Sequence, residues 1–338
     1  MTPPPSSSRR STTSSPVKTA PPASITVGIC SFAAQPQPRS RSSRERIAAN
    51  LEGALAEVAQ AAAGGADLVL LSEIVAVQNV PDWPKAAEPL DSPVLTAFAR
   101  EARKRRVWIG VGHVTLEEGK RYNSLVLFDR DGKCQAVYHK TFPTIWELER
   151  GIMPGLGAKT VDTELGRIGF ALCYDLNFSE LRLQYRDQRP DLILFSSFFR
   201  GGLQLRWWAY ETRAHVAAAI IGPEGGLVNP LGRLIARTDT IMRVAVAPAH
   251  LDTAVVHLDY TNVTLDEVRL KYGKEFAFES SEAEGVLLIT ALGRRCVDDL
   301  LQEVGWERAD RYFDRARKAR EQVLAGRRPV KGPPPFVE

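Results

Sequence analysis

The stretch ITVGICSFAAQPQPRSRSSRERIAANLEGALAEVAQAAAGGADLVLL, residues 25–71, decides the fold class. Its first eight residues alternate as a short strand. A loop carrying Arg39, Arg41 and Arg44 follows, and then Ile47, Leu51, Ala54, Leu55, Val58 and Ala62 recur every three or four residues, which lays one apolar stripe along a helix. Gly64-Gly65 stops that helix, and the run to Leu71 has the length and continuity of a buried strand. Strand, helix and strand in this order make a β-α-β unit, so an α/β fold is expected.

The same alternation runs outward. A second helix fits about residues 93–105 and a strand fits VWIGVGHV. SLVLFDRDGKCQAVYHK reads as a hairpin turning in type I′ geometry at Asp131-Gly132. RIGFALCY, DLILFSSF, AAIIGPEG and AVVHLD fit further strands, with a helix over about 203–218 and a hairpin at Asn229-Pro230-Leu231-Gly232. This pattern carries one α/β domain over 25–290. Residues 291–338 read as a helical C-terminal extension with a Pro-rich end, KGPPPF, and residues 1–24 as a disordered tail of Pro, Ser and Thr with basic punctuation.

Composition narrows the function class. At 338 residues, with 44% hydrophobic and 25% charged side chains, the chain has globular proportions, and no 18-residue apolar run offers a membrane span. The net charge of +4 owes three charges to Arg9, Arg10 and Lys18 in the tail; without them 41 basic residues face 40 acidic ones. No nucleic-acid or membrane partner is expected from such a balance. Cys30, Cys134, Cys173 and Cys296 are scattered without metal-ligand or disulfide spacing, and the five histidines offer no ligand pair, so neither a metal nor a cofactor is expected and the compartment reads as reducing and cytoplasmic.

Three strand ends carry reactive groups. Glu73 follows Leu68–Leu71, Lys140 ends the second arm of the Asp131-Gly132 hairpin, and Cys173 ends Ile168–Leu172. A thiol becomes a nucleophile by losing its proton, a carboxylate can take that proton and return it to a leaving amine, and an ammonium can stabilise an oxyanion.

In their sequence order the segments LLSEI, YHKTFP and GFALCYDLNFSELR resemble the three signatures of the nitrilase, or carbon-nitrogen hydrolase, superfamily, over roughly residues 25–290. The resemblance implies a four-layer α-β-β-α sandwich that pairs into an α-β-β-α-α-β-β-α homodimer or higher homo-oligomer. It also implies a Glu73-Lys140-Cys173 catalytic set. Ser72 stands where the family usually has Pro, and His139 where Arg is usual. A second family carboxylate falls in TIWELERGIMPG, where the distance to Pro154-Gly155 favours Glu149 over Glu147. Tyr174, Asp175, Ser197, Phe198 and Trp146 are implied as pocket walls. Arg213-Ala214 resembles the family's Arg-Ala element, but Val216-Ala217 replace its usual Glu-Asn. Cys173-Tyr174-Asp175 resembles the ω-amidase-like and uncharacterised branches rather than the Cys-Trp-Glu of nitrilases, the Cys-Arg-Asp of aliphatic amidases or the Cys-Asn-Asp of many carbamoylases. Hydrolysis of a small amide through a thioester is therefore the expected reaction. N-carbamoyl amino acid hydrolysis is the alternative, nitrile hydrolysis and acyl transfer come behind it, and a silent scaffold is the reading from another class.

Overall fold

A computed structural model describes residues 22–258 and 265–328. The chain forms β1 (Ser24–Cys30), α1 (Ser43–Ala63), β2 (Leu68–Leu71), α2 (Pro93–Arg105), β3 (Trp108–Glu117), β4 (Lys120–Phe128), β5 (Cys134–His139) and the short α3 (Ile145–Glu149). Next come β6 (Thr160–Thr163), β7 (Gly166–Leu172), α4 (Ser179–Gln188), β8 (Leu192–Ser197), α5 (Gly202–Thr212), β9 (His215–Ile220), β10 (Gly226–Val228), β11 (Leu234–Arg237) and β12 (Val244–His250). The final unit holds β13 (Thr253–His257), α6 (Leu265–Tyr272), β14 (Phe276–Ser281), β15 (Val286–Ala291), α7 (Val297–Val304) and α8 (Ala309–Leu324).

Two six-stranded sheets, ordered β12-β1-β2-β3-β4-β5 and β11-β10-β9-β8-β7-β6, stack face to face. The period of two along each strand builds all four layers. Val27, Ile29, Leu68 and Leu70 point between the sheets to meet Ile168, Phe170, Leu172 and Leu194. Their neighbours Cys30, Val69 and Leu71 face outward against α1 and α2. Ala171, Ile193 and Phe195 face outward among residues of α4 and α5 such as Tyr185 and Trp208. The result is the α-β-β-α sandwich. Helix α1 starts at a capping box, with Ser42 accepting from the Glu45 N–H and Glu45 bonding back to the Ser42 N–H.

Three local expectations are corrected. At the Asp131-Gly132 turn only Gly132 has a positive φ (76°), and the ladder shifts register between Leu127 and Phe128, so the turn is a bulged loop and not type I′. The helix expected to reach residue 218 ends at Thr212: Arg213 turns left-handed (φ 57°), and His215–Ile220, an Ala-rich run that periodicity alone cannot assign, is a fully buried strand. Finally, residues 253–257 do not extend the sandwich. They form β13 in a separate antiparallel sheet, β13-β15-β14. One face of this sheet packs with Val268, Leu300 and Trp306, and the other with Leu231 and Ala309. The C-terminal helices are thus part of a small α+β unit that begins before residue 291. Most of the expected tail (1–21) and the KGPPPF end lie outside the described residues. Among the described residues no helix is long and apolar enough to cross a membrane.

Candidate active site

Parallel strands deliver the site. β1, β2 and β3 run together in one sheet and β7, β8 and β9 in the other, and the C-terminal ends of β2 and β8 meet where the Ser196 hydroxyl donates to the Leu71 carbonyl at 2.6 Å. Glu73 therefore emerges opposite Cys173 and Ser197. Gly112 of β3 makes room for the Glu73 backbone, since a Cβ there would lie 2.6 Å from the Ser72 carbonyl oxygen and 2.7 Å from Glu73 Cα.

The Glu73 carboxylate is 3% exposed and saturated with donors. Its Oε1 accepts from Asn123 Nδ2 at 2.7 Å and from Lys140 Nζ at 3.0 Å, and its Oε2 accepts from the Phe198 N–H at 3.1 Å. Lys140 also donates to both oxygens of Glu147, at 2.9 and 3.1 Å. Asn123 spends its second amide hydrogen on Glu147 Oε1 at 2.7 Å. One ammonium and one amide thus clamp two buried carboxylates. Burial alone would lower the pKa of Lys140, but Glu73, then Cys173 and Glu147, outweigh it and hold the ammonium above its ordinary value. Burial pushes the Glu147 carboxyl up, yet Lys140, the Thr144 N–H and Asn123 together hold it below the usual carboxylate range.

Cys173 sits at φ 46°, a left-handed conformation rare for a side chain with a Cβ, in the 3-10 turn that follows β7. The Glu73 carboxylate, the Lys140 ammonium and the Ser197 hydroxyl are the groups close enough to its thiol to influence its proton. Burial, with the Glu73 charge adding and Lys140 opposing, pushes that thiol up to about 12. At neutral pH the sulfur rests protonated beside a carboxylate that can accept the proton.

The structure brings Glu73, Lys140, Cys173, Ser197 and Glu147 together, and it excludes Glu149. Thr144 caps α3 and Glu147, at the third helical position, folds back to accept from the Thr144 N–H at 2.7 Å, which turns its carboxylate inward. Two residues on, about 200° around the helix, Glu149 projects outward with a side chain 67% exposed and pairs with Arg150 at 3.9 Å. The capping pattern Thr144-x-x-Glu147 held the discriminating signal; the spacing to Pro154-Gly155 did not.

Asp175 is not a pocket wall either. It is fully buried, accepting from the Tyr138 hydroxyl (2.7 Å) and from the N–H groups of Phe142 (2.8 Å) and Leu172 (2.9 Å), so it pins the nucleophile turn from beneath. Burial, countered by those three donors, raises its carboxyl to about 6. Tyr174 and Phe198 are partly exposed at the rim. Phe198 serves Glu73 through its backbone. Trp146 packs on Trp83 and under the Arg150 guanidinium, on the outer side of α3. Asn123 was missed by the sequence reading: in RYNSLVLF it is one of two adjacent polar residues that open a wholly buried run, and nothing local marks it as a bridge.

Residues 32–221, more than half of the chain, match the family described as carbon-nitrogen hydrolase. The chain is 26% identical over 293 residues to the chloroplastic omega-amidase of Arabidopsis thaliana, covering 75% of this chain and 74% of that one. It is 30% identical over 156 residues to the deaminated glutathione amidase of Rattus norvegicus, covering 39% and 47%. Among solved structures it shares the fold of Nit3 from Saccharomyces cerevisiae, a member of the nitrilase superfamily (TM-score 0.58, 20% identity, 68% of this chain and 90% of that one). It also shares the fold of a mutant of the amidase from Nesterenkonia sp. AN1 that bears the acetamide moiety of fluoroacetamide on its active-site cysteine (TM-score 0.57, 20% identity, 69% and 92%).

Proposed function

The chain belongs to the carbon-nitrogen hydrolase family, in its amidase-like branch, and from that premise we propose that it cleaves a small amide through a thioester on Cys173. It is a hydrolase of C–N bonds other than peptide bonds. The observation that carries the finer reading is the placement of Glu73 and Lys140 beside one thiol, with Glu147 holding the Lys140 ammonium.

Glu73 takes the Cys173 proton as the sulfur attacks the carbonyl carbon, because a thiol raised to about 12 is no thiolate at rest. The C=O electron pair moves onto oxygen, where the Lys140 ammonium and the Tyr174 N–H stabilise it. Loss of one such donor typically costs ~3–4 kcal/mol of transition-state stabilisation. Collapse of this intermediate breaks the C–N bond, Glu73 gives its proton to nitrogen, and ammonia or an amine departs. Water then attacks the thioester, losing its proton to Glu73. The C–S bond breaks, the acid leaves and the thiol recovers its hydrogen. Glu147 acts through Lys140: it fixes the ammonium's position without touching the reacting carbon. The acetamide adduct on the cysteine of the Nesterenkonia amidase supports the covalent step.

The test is ammonia release from a panel of amides, nitriles and N-carbamoyl amino acids, with mass spectrometry of the protein quenched during turnover. An acyl mass on the Cys173 peptide from an amide, abolished by Cys173→Ala, is expected. Turnover confined to carbamoyl compounds would shift the assignment to that branch, and no acylation by any compound would favour a silent scaffold. We also propose that the sandwich pairs into a homodimer, which light scattering at several concentrations will test.

A further inference from the structure

A second buried carboxylate lies outside this machinery. Glu57, on α1, has a side chain 8% exposed, and neither of its carboxylate oxygens has a hydrogen-bond donor among the described residues. Gln37 Oε1, on the loop after β1, is likewise buried and without a donor. Both residues line one cavity of about 460 Å³. Three unsatisfied acceptors around a single cavity are rare, because each costs roughly 1–3 kcal/mol when left bare.

The remaining lining defines what would satisfy them. Arg243 approaches Glu57 with Nε 3.5 Å from Oε1, outside good hydrogen-bond geometry, and Arg41 lines the same cavity, within electrostatic influence of Glu45 but with no ion-pair partner within 4 Å among the described residues. Phe32, Pro36 and Pro38 supply an apolar wall. Two guanidiniums against one carboxylate leave positive charge over, so a simple cation fits the acceptors but is repelled by the arginines. A simple anion fits the arginines but leaves the acceptors bare.

We propose that this cavity binds a zwitterionic α-amino acid with an apolar side chain. Its ammonium donates to Glu57 and Gln37 Oε1, its carboxylate meets Arg41 and Arg243, and its side chain lies on Phe32 and the two prolines. Burial, opposed by Arg243, holds the Glu57 carboxyl at about 7 in the absence of such a donor. The cavity adjoins the catalytic segment: the Phe32 carbonyl accepts from the Ser72 hydroxyl at 3.0 Å, one residue before Glu73. Ser72 is where the family usually has Pro, which could make no such bond.

Titration calorimetry of the full chain with L-leucine, isoamylamine (no carboxylate) and 4-methylpentanoate (no ammonium) tests the assignment independently of any hydrolytic activity. Saturable leucine binding is expected, with both analogues about tenfold or more weaker, since each forfeits one charge-assisted contact. Glu57→Gln, close in shape, and Arg41→Ala, at an exposed position that cannot unfold the protein, each weaken leucine by about tenfold. Absence of leucine binding, equal binding of isoamylamine, or unchanged affinity in a folded Glu57→Gln protein would overturn the proposal.

Discussion

Glu147 and Glu57 are the same residue type, 3% and 6% exposed, in two parts of one sandwich, yet their protons are held very differently. Glu147 has Lys140, Asn123 and the Thr144 N–H on its oxygens, and its carboxyl is pulled below the usual range. Glu57 has Arg243 at 3.5 Å but no hydrogen-bond donor among the described residues, and its carboxyl rises to about 7. Burial is common to both, so it is the supply of donors that decides whether a buried acid is charged. The catalytic end of the molecule is wired to keep charge, and the α1 face is not.

The largest expected effect comes from cutting the active-site wiring at its centre. Lys140→Met leaves Glu73 and Glu147 facing each other with no cation, and we expect a loss of about 3–5 kcal/mol in urea unfolding together with loss of turnover. Should stability survive intact, the clamp is not what holds these charges. Next in size, Glu147→Gln lowers kcat by about a hundredfold with KM little changed, while Glu149→Gln stays within about twofold, both read from amide hydrolysis. The reverse ranking would restore the carboxylate that spacing favoured. Asn123→Ala, which withdraws one donor from each of two carboxylates, should lower kcat by about tenfold.

The smallest effect lies on the other side of the comparison. A carboxyl raised from 4.5 to about 7 in the folded state holds its proton more tightly there than when unfolded. Its contribution to stability is full below pH 4.5 and is lost as pH rises through 7. Glu57→Gln should therefore match the parent's melting temperature at pH 5 and exceed it at pH 8. A constant offset at both values would mean that Glu57 is not the titrating group.

Legibility in the sequence followed the range of the interactions. The β-α-β start and the placement of Glu73, Lys140 and Cys173 at strand ends could be read because an apolar run and its terminus are local. Glu147 could have been read from its capping box. Asn123 could not, because its role depends on two carboxylates 50 and 24 residues away. The separate C-terminal sheet escaped for the same reason: Thr253–His257 alternates like any strand, and only its pairing with Val286–Thr290 removes it from the sandwich. His215–Ile220 was misread because Ala-rich runs suit either a helix or a buried strand, and the neighbouring strand β8 settled the matter.

The bond from Ser196 to Leu71 joins two sheets that each hold half of the reacting groups, the acid and the amine on one, the sulfur on the other. Such a centre works like a split reporter, silent unless its halves are in register. Hydrostatic pressure or traces of urea too weak to disturb either sheet should extinguish turnover first, which makes enzymatic rate a gauge of the joint between layers.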